Sequence, residues 1–467
     1  MKFCDRPYRF VYMEGYSEPG TVVMCPWMSY GVSREIGNVL KEDMYDIWHG
    51  KKAEALRKTI EDQSFRYCEK MSCPYLENDS LPDLSEEEFK KRAVPLEYPD
   101  QFNLAHDLVC NHKCPSCRYE IFKPDDEYVK NMKMVNEKIK PYLENATYID
   151  ACGLGDMFAS PYMMDLLSSL DMKNESANLI FETNGVFCDE EHWERLSNLH
   201  KCKITIGVTP NSYDRATFKY LSGGLDDLER VQHNLLFLKK LRQEGKLYNY
   251  YITIVIQEKN YRELPEFVER SLNEFGADNV VLRTIYKWNK MSAEDYWFKD
   301  VMNPLHPYHK DMLEVMKNPI LKDKRIYNWT AFNVHPRTKH PAYRNEDYLK
   351  LTEKILKEDS EGNTLSSKLK EKGINEVIIY GDNTFTSIVN MMLQKDNYHV
   401  KYILARDKMH EKVGNVDVKC LDDFIQDEID TILISNYQDE KYIRRDLGAI
   451  GYKGKIITVS ALYDFVC

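Results

Sequence analysis

Short apolar runs with strand-like spacing recur through the middle of the chain, separated by longer stretches with helical spacing. The runs lie at 148–151, 179–182, 204–208, 251–256 and 280–282. Between them, segments such as 225–244 and 264–275 repeat apolar residues at helical intervals. Strands alternating with helices predict βα units and a parallel sheet. A second alternating series begins after residue 372, with runs at 376–380, 402–405, 431–435 and 455–459. Between the two series, residues 346–372 are polar and rich in Lys and Glu, including Asp359-Ser360-Glu361-Gly362-Asn363. That stretch reads as a linker or an exposed helix pair. The chain shows no internal repeat and no low-complexity tract. The expected division is 1–95, 96–345, a linker at 346–372, and 373–467.

The chain has 467 residues, 43% hydrophobic and 30% charged, which suits a globular protein with two or three domains. A net charge of −11 argues against a general nucleic-acid binder. No apolar run is long enough to cross a bilayer, and the opening Met1-Lys2-Phe3-Cys4-Asp5 lacks the apolar core of a secretory signal. The expected location is the cytoplasm. Twelve cysteines in a reducing compartment are a poor disulfide framework, and their local clustering favours metal binding.

Three of them form the run Cys110-Asn111-His112-Lys113-Cys114-Pro115-Ser116-Cys117. Iron–sulfur clusters are held by cysteine thiolates, usually four. Three thiolates leave one iron open, and an open position is what a reactive metal site needs. A zinc knuckle is the plain alternative. The C-x3-C-x2-C spacing resembles the signature of the radical S-adenosylmethionine superfamily. The resemblance implies a partial (β/α) barrel over 96–345. It also implies a [4Fe–4S] cluster on Cys110, Cys114 and Cys117, whose open iron holds S-adenosylmethionine and whose electron releases a 5′-deoxyadenosyl radical.

Other segments fit the same resemblance. Ala151-Cys152-Gly153-Leu154-Gly155-Asp156 follows a strand candidate and looks like the family's glycine-rich segment. Gly153 and Gly155 would let backbone approach the cofactor, and the Asp156 carboxylate would meet its ammonium. Cys152 beside that loop is the candidate hydrogen-atom donor. Thr183-Asn184-Gly185 resembles the turn near the cofactor ribose, although Asn-Gly is also an ordinary turn signal. Gln257, at the end of a strong strand, would contact cofactor or substrate, or simply end the strand. Arg283 and Trp288 are further candidates for the pocket. The chain departs from the pattern at Gly207 and Thr209, where relatives carry serine and aspartate. It also lacks the usual arginine before Gly223-Gly224, and Ser116 replaces an aromatic.

Cys4, Cys25, Cys68 and Cys73 form a second set, interleaved with Ile36-Gly37-Asn38 and Ile47-Trp48. This pattern resembles the SPASM/twitch auxiliary module and implies a fully ligated second [4Fe–4S] cluster in residues 1–95. Such a cluster carries electrons or braces the fold. A four-cysteine zinc site would ask for similar spacing. Cys188, Cys202, Cys420 and Cys467 read as small buried hydrophobes.

Residues 373–467 look like a small Rossmann-type domain. Asp382 and Asn383 stand after Gly381 where a dinucleotide fingerprint needs further glycines, which argues against nucleotide binding.

The overall expectation is a radical enzyme fed by a flavodoxin- or ferredoxin-like donor. It would oxidise or otherwise modify a small polar or carbohydrate-type substrate, with the auxiliary cluster accepting an electron. The alternatives are a peptide- or protein-modifying radical enzyme and a non-catalytic iron–sulfur electron carrier.

Overall fold

The computed structural model describes residues 1–15, 18–27, 35–65, 67–68, 73–77, 79–118, 120–151, 153–285, 291–328, 341–381, 384–405, 411–421, 424, 431–435 and 440–465. Cys152, Trp288, Asp382, Asn383 and Cys467, all singled out from the sequence, lie outside the described residues.

Ten strands form one sheet. They are β1 (Phe10–Glu14), β2 (Thr21–Val23), β3 (Glu35–Asn38), β4 (Gln101–Ala105), β5 (Tyr148–Ala151), β6 (Asn178–Thr183), β7 (Lys203–Val208), β8 (Asn249–Ile256), β9 (Asn279–Thr284) and β10 (Ile326–Asn328). Their spatial order is β10-β9-β8-β7-β6-β5-β4-β1-β2-β3. Every pairing from β10 to β1 is parallel, and β2 and β3 add an antiparallel edge.

Parallel neighbours need crossovers, and amphipathic helices supply them. The helix Asp126–Leu143 buries Met132, Val135, Ile139 and Leu143, one face at helical spacing. Its N-cap Asp125 accepts from the Tyr128 amide. Phe102, Ile149, Leu179 and Ile204 lie in register across β4 to β7 and enter the main core. The alternate positions put Asn103, Asp150, Glu182, Tyr251 and Arg283 on the opposite face.

The first block does not stand apart from this sheet. Residues 10–14 pair with residues 101–105, so β1 extends the parallel sheet and carries β2 and β3 with it.

A second sheet holds β11 (Glu376–Tyr380), β12 (His399–Ala405), β13 (Lys412–Val413), β14 (Val416–Cys420), β15 (Thr431–Ile434) and β16 (Lys455–Thr458), in the order β13-β14-β12-β11-β15-β16. Its pairings are parallel except β13 with β14. Both faces are covered. Val377 and Ile379 enter one apolar cluster, Ile378 and Tyr380 another. Such two-sided burial explains why its strands read as continuous apolar runs.

Residues 346–372, expected as a linker or exposed helix pair, form most of the helix Pro341–Ser360 and the helix Leu365–Glu371. Leu351, Ile355, Leu365 and Leu369 belong to the second core, so this stretch is part of the packed unit. Arg445, from the helix Glu440–Ala449, lies over the Phe65 ring at 5.1 Å, a contact between the two ends of the chain. Among the described residues no helix is long and apolar enough to cross a membrane.

Candidate metal centre and its surroundings

The three-cysteine run begins five residues beyond β4, at the C-terminal edge of the parallel sheet, where α/β folds place ligands. Buried Asp107 anchors its entry. One carboxylate oxygen accepts from the Tyr128 hydroxyl at 2.6 Å and the Val109 amide at 3.0 Å, and the other from the Ser160 hydroxyl. The Tyr128 oxygen in turn accepts from the Leu108 amide at 2.8 Å. At the far end, Arg118 donates to the carbonyls of Leu108, at 2.8 Å, and Leu154, and stands 3.9 Å from the Cys117 sulfur. The Cys117 and Arg118 amides both donate to the Cys114 carbonyl. Cys110 and Cys114 are half-buried, and Cys117 is exposed.

The electrostatics fit a cationic metal cluster. Burial, then the Asp156 charge, pushes the Cys110 thiol up to about 12. Burial, then the other two sulfurs, raises Cys114. Cys110 and Cys114 thus resist ionisation, and the Arg118 charge only partly offsets this. Iron would supply the missing positive charge.

The loops after β5 and β6 clasp this run. The Asp156 amide donates to the Val109 carbonyl at 2.8 Å. A Cβ on Gly155 would lie 2.3 Å from the Val109 carbonyl oxygen, and one on Gly153 would lie 3.0 Å from the Ala105 Cα. Both glycines therefore permit close approach of two protein backbones, whereas the sequence pointed to approach of a cofactor. Asp156 is buried, and its carboxylate accepts from the Phe158 and Ala159 amides at 3.1 Å each, the Thr183 hydroxyl at 2.9 Å and the Asn184 amide at 2.7 Å. Four donors fill the four acceptor sites of a carboxylate. In this geometry Asp156 is a brace between β5 and β6, and an ammonium partner would have to displace one of those bonds. Asn184 donates to the Asn111 side-chain carbonyl at 2.8 Å and lies 3.8 Å from the Cys110 sulfur.

Gln257 is buried after β8, and its side-chain nitrogen has no hydrogen-bond partner among the described residues. Gly223, at φ +80°, backs onto Lys113, whose carbonyl oxygen would stand 2.3 Å from an added Cβ. Gly207 has a comparable reason. The Tyr251 ring lies across it, within 2.3 Å of where a Cβ would stand. The Tyr251 hydroxyl reaches Glu182 at 2.8 Å, and Arg283 meets the same carboxylate oxygen at 2.9 Å. Tyr251 thus takes the space of the side chain missing at Gly207.

In the N-terminal set, burial and then the Cys25 sulfur push Cys4 up to about 12. Cys4 and Cys68 pack against one apolar cluster that includes Phe3, Tyr8 and Phe65. Cys73 immediately precedes the short helix Pro74–Glu77. Among the described residues, no three His, Cys, Asp or Glu side chains gather tightly enough to hold one metal ion.

Sequence reasoning missed Asp107, Asn111, Arg118, Tyr128, Ser160 and the Glu182–Tyr251 pair. Asn111 and Arg118 at least adjoin the cysteine run. Asp107 lies three residues before it, but its partners Tyr128 and Ser160, like the Glu182–Tyr251 pair, are distant in sequence and carry no local signal.

Residues 10–74 match the SPASM family model, an iron–sulfur cluster-binding domain. The matched residues, which hold Cys25, Cys68 and Cys73 but not Cys4, are therefore similar to an iron–sulfur domain. No curated protein matches the sequence. Among solved structures, Streptococcus suis SuiB bound to S-adenosylmethionine is similar at 15% identity and a TM-score of 0.36, over 64% of this chain and 68% of that one. SuiB bound to precursor peptide SuiA gives 14% identity and a TM-score of 0.36, over 64% of this chain and 67% of that one. Native anSMEcpe with bound AdoMet and Kp18Cys peptide gives 18% identity and a TM-score of 0.28, over 46% of this chain and 61% of that one.

Proposed function

We propose that this chain is a radical S-adenosylmethionine enzyme with an auxiliary iron–sulfur cluster. The observation that carries the reading is the clasped run of Cys110, Cys114 and Cys117, together with the SPASM match at residues 10–74. When bound, a [4Fe–4S] cluster with S-adenosylmethionine supplies a 5′-deoxyadenosyl radical that takes a hydrogen atom from substrate. The chain's own residues position that chemistry. Asp107 and Arg118 fix the two ends of the thiolate loop, and Asp156 and Asn184 set its height above β5 and β6. Cys4, Cys25, Cys68 and Cys73 would hold the second cluster, with net oxidation of substrate as its use. Cys152 is kept as the proposed hydrogen donor and Gln257 as a proposed contact.

The proposed domains are an N-terminal auxiliary module, a partial (β/α) barrel and a Rossmann-like unit at the C-terminus. The parallel run from β4 to β10 supports the barrel, and the strand order β14-β12-β11-β15-β16 supports the last. A reducing, cytoplasmic setting belongs to the same reading, because exposed clusters are oxygen-sensitive.

For the substrate we put a peptide or protein segment first and a small polar or carbohydrate compound second. SuiB and anSMEcpe carry peptides by name, but TM-scores below 0.5 give that likeness no weight of its own. The polar inner face of Asn103, Asp150, Glu182, Tyr251 and Arg283 suits either class, so a substrate assay decides between them.

The enzyme reading is tested by anaerobic reconstitution with dithionite and S-adenosylmethionine. 5′-Deoxyadenosine should form, and should vanish in the Cys110, Cys114, Cys117 triple alanine variant while about four irons per chain remain on the second site. Intact clusters without 5′-deoxyadenosine would make the chain an electron carrier.

A further inference from the structure

Arg6 opens the short helix Arg6–Arg9, two residues after Cys4. The residue is half-buried, and its guanidinium lies over the Phe10 ring at 4.4 Å from the centroid. Phe10 begins β1, which pairs antiparallel with β2, Tyr12 opposite Val23 and Met13 opposite Val22. Carrying that register on past Val11 and Met24 sets Phe10 across from Cys25. The stacked guanidinium therefore stands close to Cys4, on its own segment, and to Cys25, just beyond the neighbouring strand. Its strongest favourable charge contacts are accordingly the Cys25 sulfur and then the Cys4 sulfur.

Among the described residues no carboxylate pairs with this guanidinium. Arg9, at the other end of the same helix, shows the ordinary arrangement and donates to Asp100 at 3.0 Å. Asp5, the acid nearest in sequence, is exposed and makes no side-chain bond to the helix. The buried Arg57 is turned elsewhere, over the Trp48 ring, and donates to the Pro7 carbonyl at 2.8 Å. Taking a cation out of water without a counter-charge is costly, and an aromatic ring offsets only part of that cost. A cubane held by thiolates is anionic and gains a further negative charge on reduction. A fixed guanidinium at close range, partly shielded from water, favours that added charge.

We infer that Arg6 is the counter-charge of the second cluster and raises the potential at which a cluster held by Cys4 and Cys25 takes up one electron. The inference rests on the second iron–sulfur cluster of the proposed function and adds a residue that no cysteine spacing marks. The cluster is reduced by one electron and its donor oxidised by one, the substrate radical in the proposed reaction and the titrant in the test. No bond is made or broken in the cluster.

The test uses the full-length Cys110, Cys114, Cys117 triple alanine chain as parent, so that the second cluster alone is read. It is reconstituted anaerobically with iron and sulfide and titrated with dithionite through redox mediators. Electron paramagnetic resonance counts the reduced cluster. Arg6→Gln should weaken the hold on the electron about tenfold, a fall of about 59 mV in the midpoint potential of a one-electron couple. Arg6→Lys keeps the charge and should stay within about twofold of the parent. Lys58→Gln removes the same charge from an exposed position and should also stay within about twofold. An Arg6→Gln potential equal to the parent's, or an equal fall in Lys58→Gln, would overturn the inference. Iron content is read on every variant. Iron lost in Arg6→Gln and kept in Arg6→Lys would show that the cluster needs the charge itself. Iron lost in both would make Arg6 a packing residue and overturn the inference. A parent chain that takes up zinc and no iron would defeat the second cluster and this inference with it, whereas a loaded cluster indifferent to Arg6 defeats the inference alone.

Discussion

The Asn184 side-chain amide donates to the Asn111 carbonyl at 2.8 Å, and this bond joins the turn after β6 to the cysteine run. The same nitrogen lies 3.8 Å from the Cys110 sulfur. Asn184 also closes its own turn by accepting from the Val186 amide at 3.0 Å. One side chain therefore sets both the turn and its distance from a proposed iron ligand.

Asn184→Ala should cost about 1–2 kcal/mol, the usual range for a lost part-buried hydrogen bond. The loss falls on the run rather than the whole fold. Iron content after reconstitution should drop toward the about four atoms of the second cluster, while far-ultraviolet circular dichroism stays unchanged. Full iron loading with a normal thermal midpoint would show that the Asn184–Asn111 bond does not hold the site.

Gly155→Ala should be more severe. The new methyl would sit 2.3 Å from the Val109 carbonyl oxygen and 2.9 Å from that of Asp107, and both are backbone atoms that cannot swing aside. Overpacking of this kind costs typically about 1–3 kcal/mol. Gly153→Ala meets its nearest atom at 3.0 Å and should be tolerated better. Urea midpoints of the two variants compare them directly, and equal midpoints would refute the backbone-clasp reading.

That clasp also shows where sequence stops informing. The three-thiol run and the strands at 148–151, 179–182 and 204–208 were legible because spacing and alternation are local properties. The role of Asp156 was not. Its four donors come from residues 158, 159, 183 and 184, and the last two lie at the end of another strand. Asp107 is a plainer case, since its partners Tyr128 and Ser160 lie 21 and 53 residues away. The first block escaped for the same reason. β1 pairs with β4 across about ninety residues of sequence, and parallel pairing leaves no hairpin turn to read. Residues 346–372 looked like a linker because their few apolar positions are diluted by Lys and Glu, yet those few reach the core.

Gly207 and Tyr251 should behave as a coupled pair. Gly207→Ser places a side chain within 2.5 Å of the Tyr251 ring and hydroxyl, so it should destabilise by about 1–3 kcal/mol. Tyr251→Ala alone should also destabilise, since it opens a void and removes the bond to Glu182. Together they should cost less than the sum, because the truncated ring makes room for the serine. A double-mutant cycle on denaturant stability reads this coupling, and strict additivity would mean the ring does not occupy the glycine's space.

Stability should depend on pH differently with and without iron. In the folded apo-protein the Cys110 and Cys4 thiols are pushed up to about 12, chiefly by burial. In the unfolded chain a cysteine ionises near about 8.5. Between those values the unfolded state has released protons that the folded state keeps. The folded state then binds more protons, so apo-protein stability is full below about pH 8.5 and falls as pH rises toward 12. By about pH 10 the loss is about 2 kcal/mol for each such thiol, from 1.36 kcal/mol per pH unit. Thiolates bound to iron have already given up their protons, so the loaded protein escapes this part of the loss. Urea unfolding of apo and loaded protein at about pH 8 and about pH 10 measures the difference, and the tyrosines and lysines that titrate over this range do so in both forms, so their part cancels in the comparison. The gap between the two forms should widen with pH. A constant gap would mean that these thiols are not the groups the metal relieves.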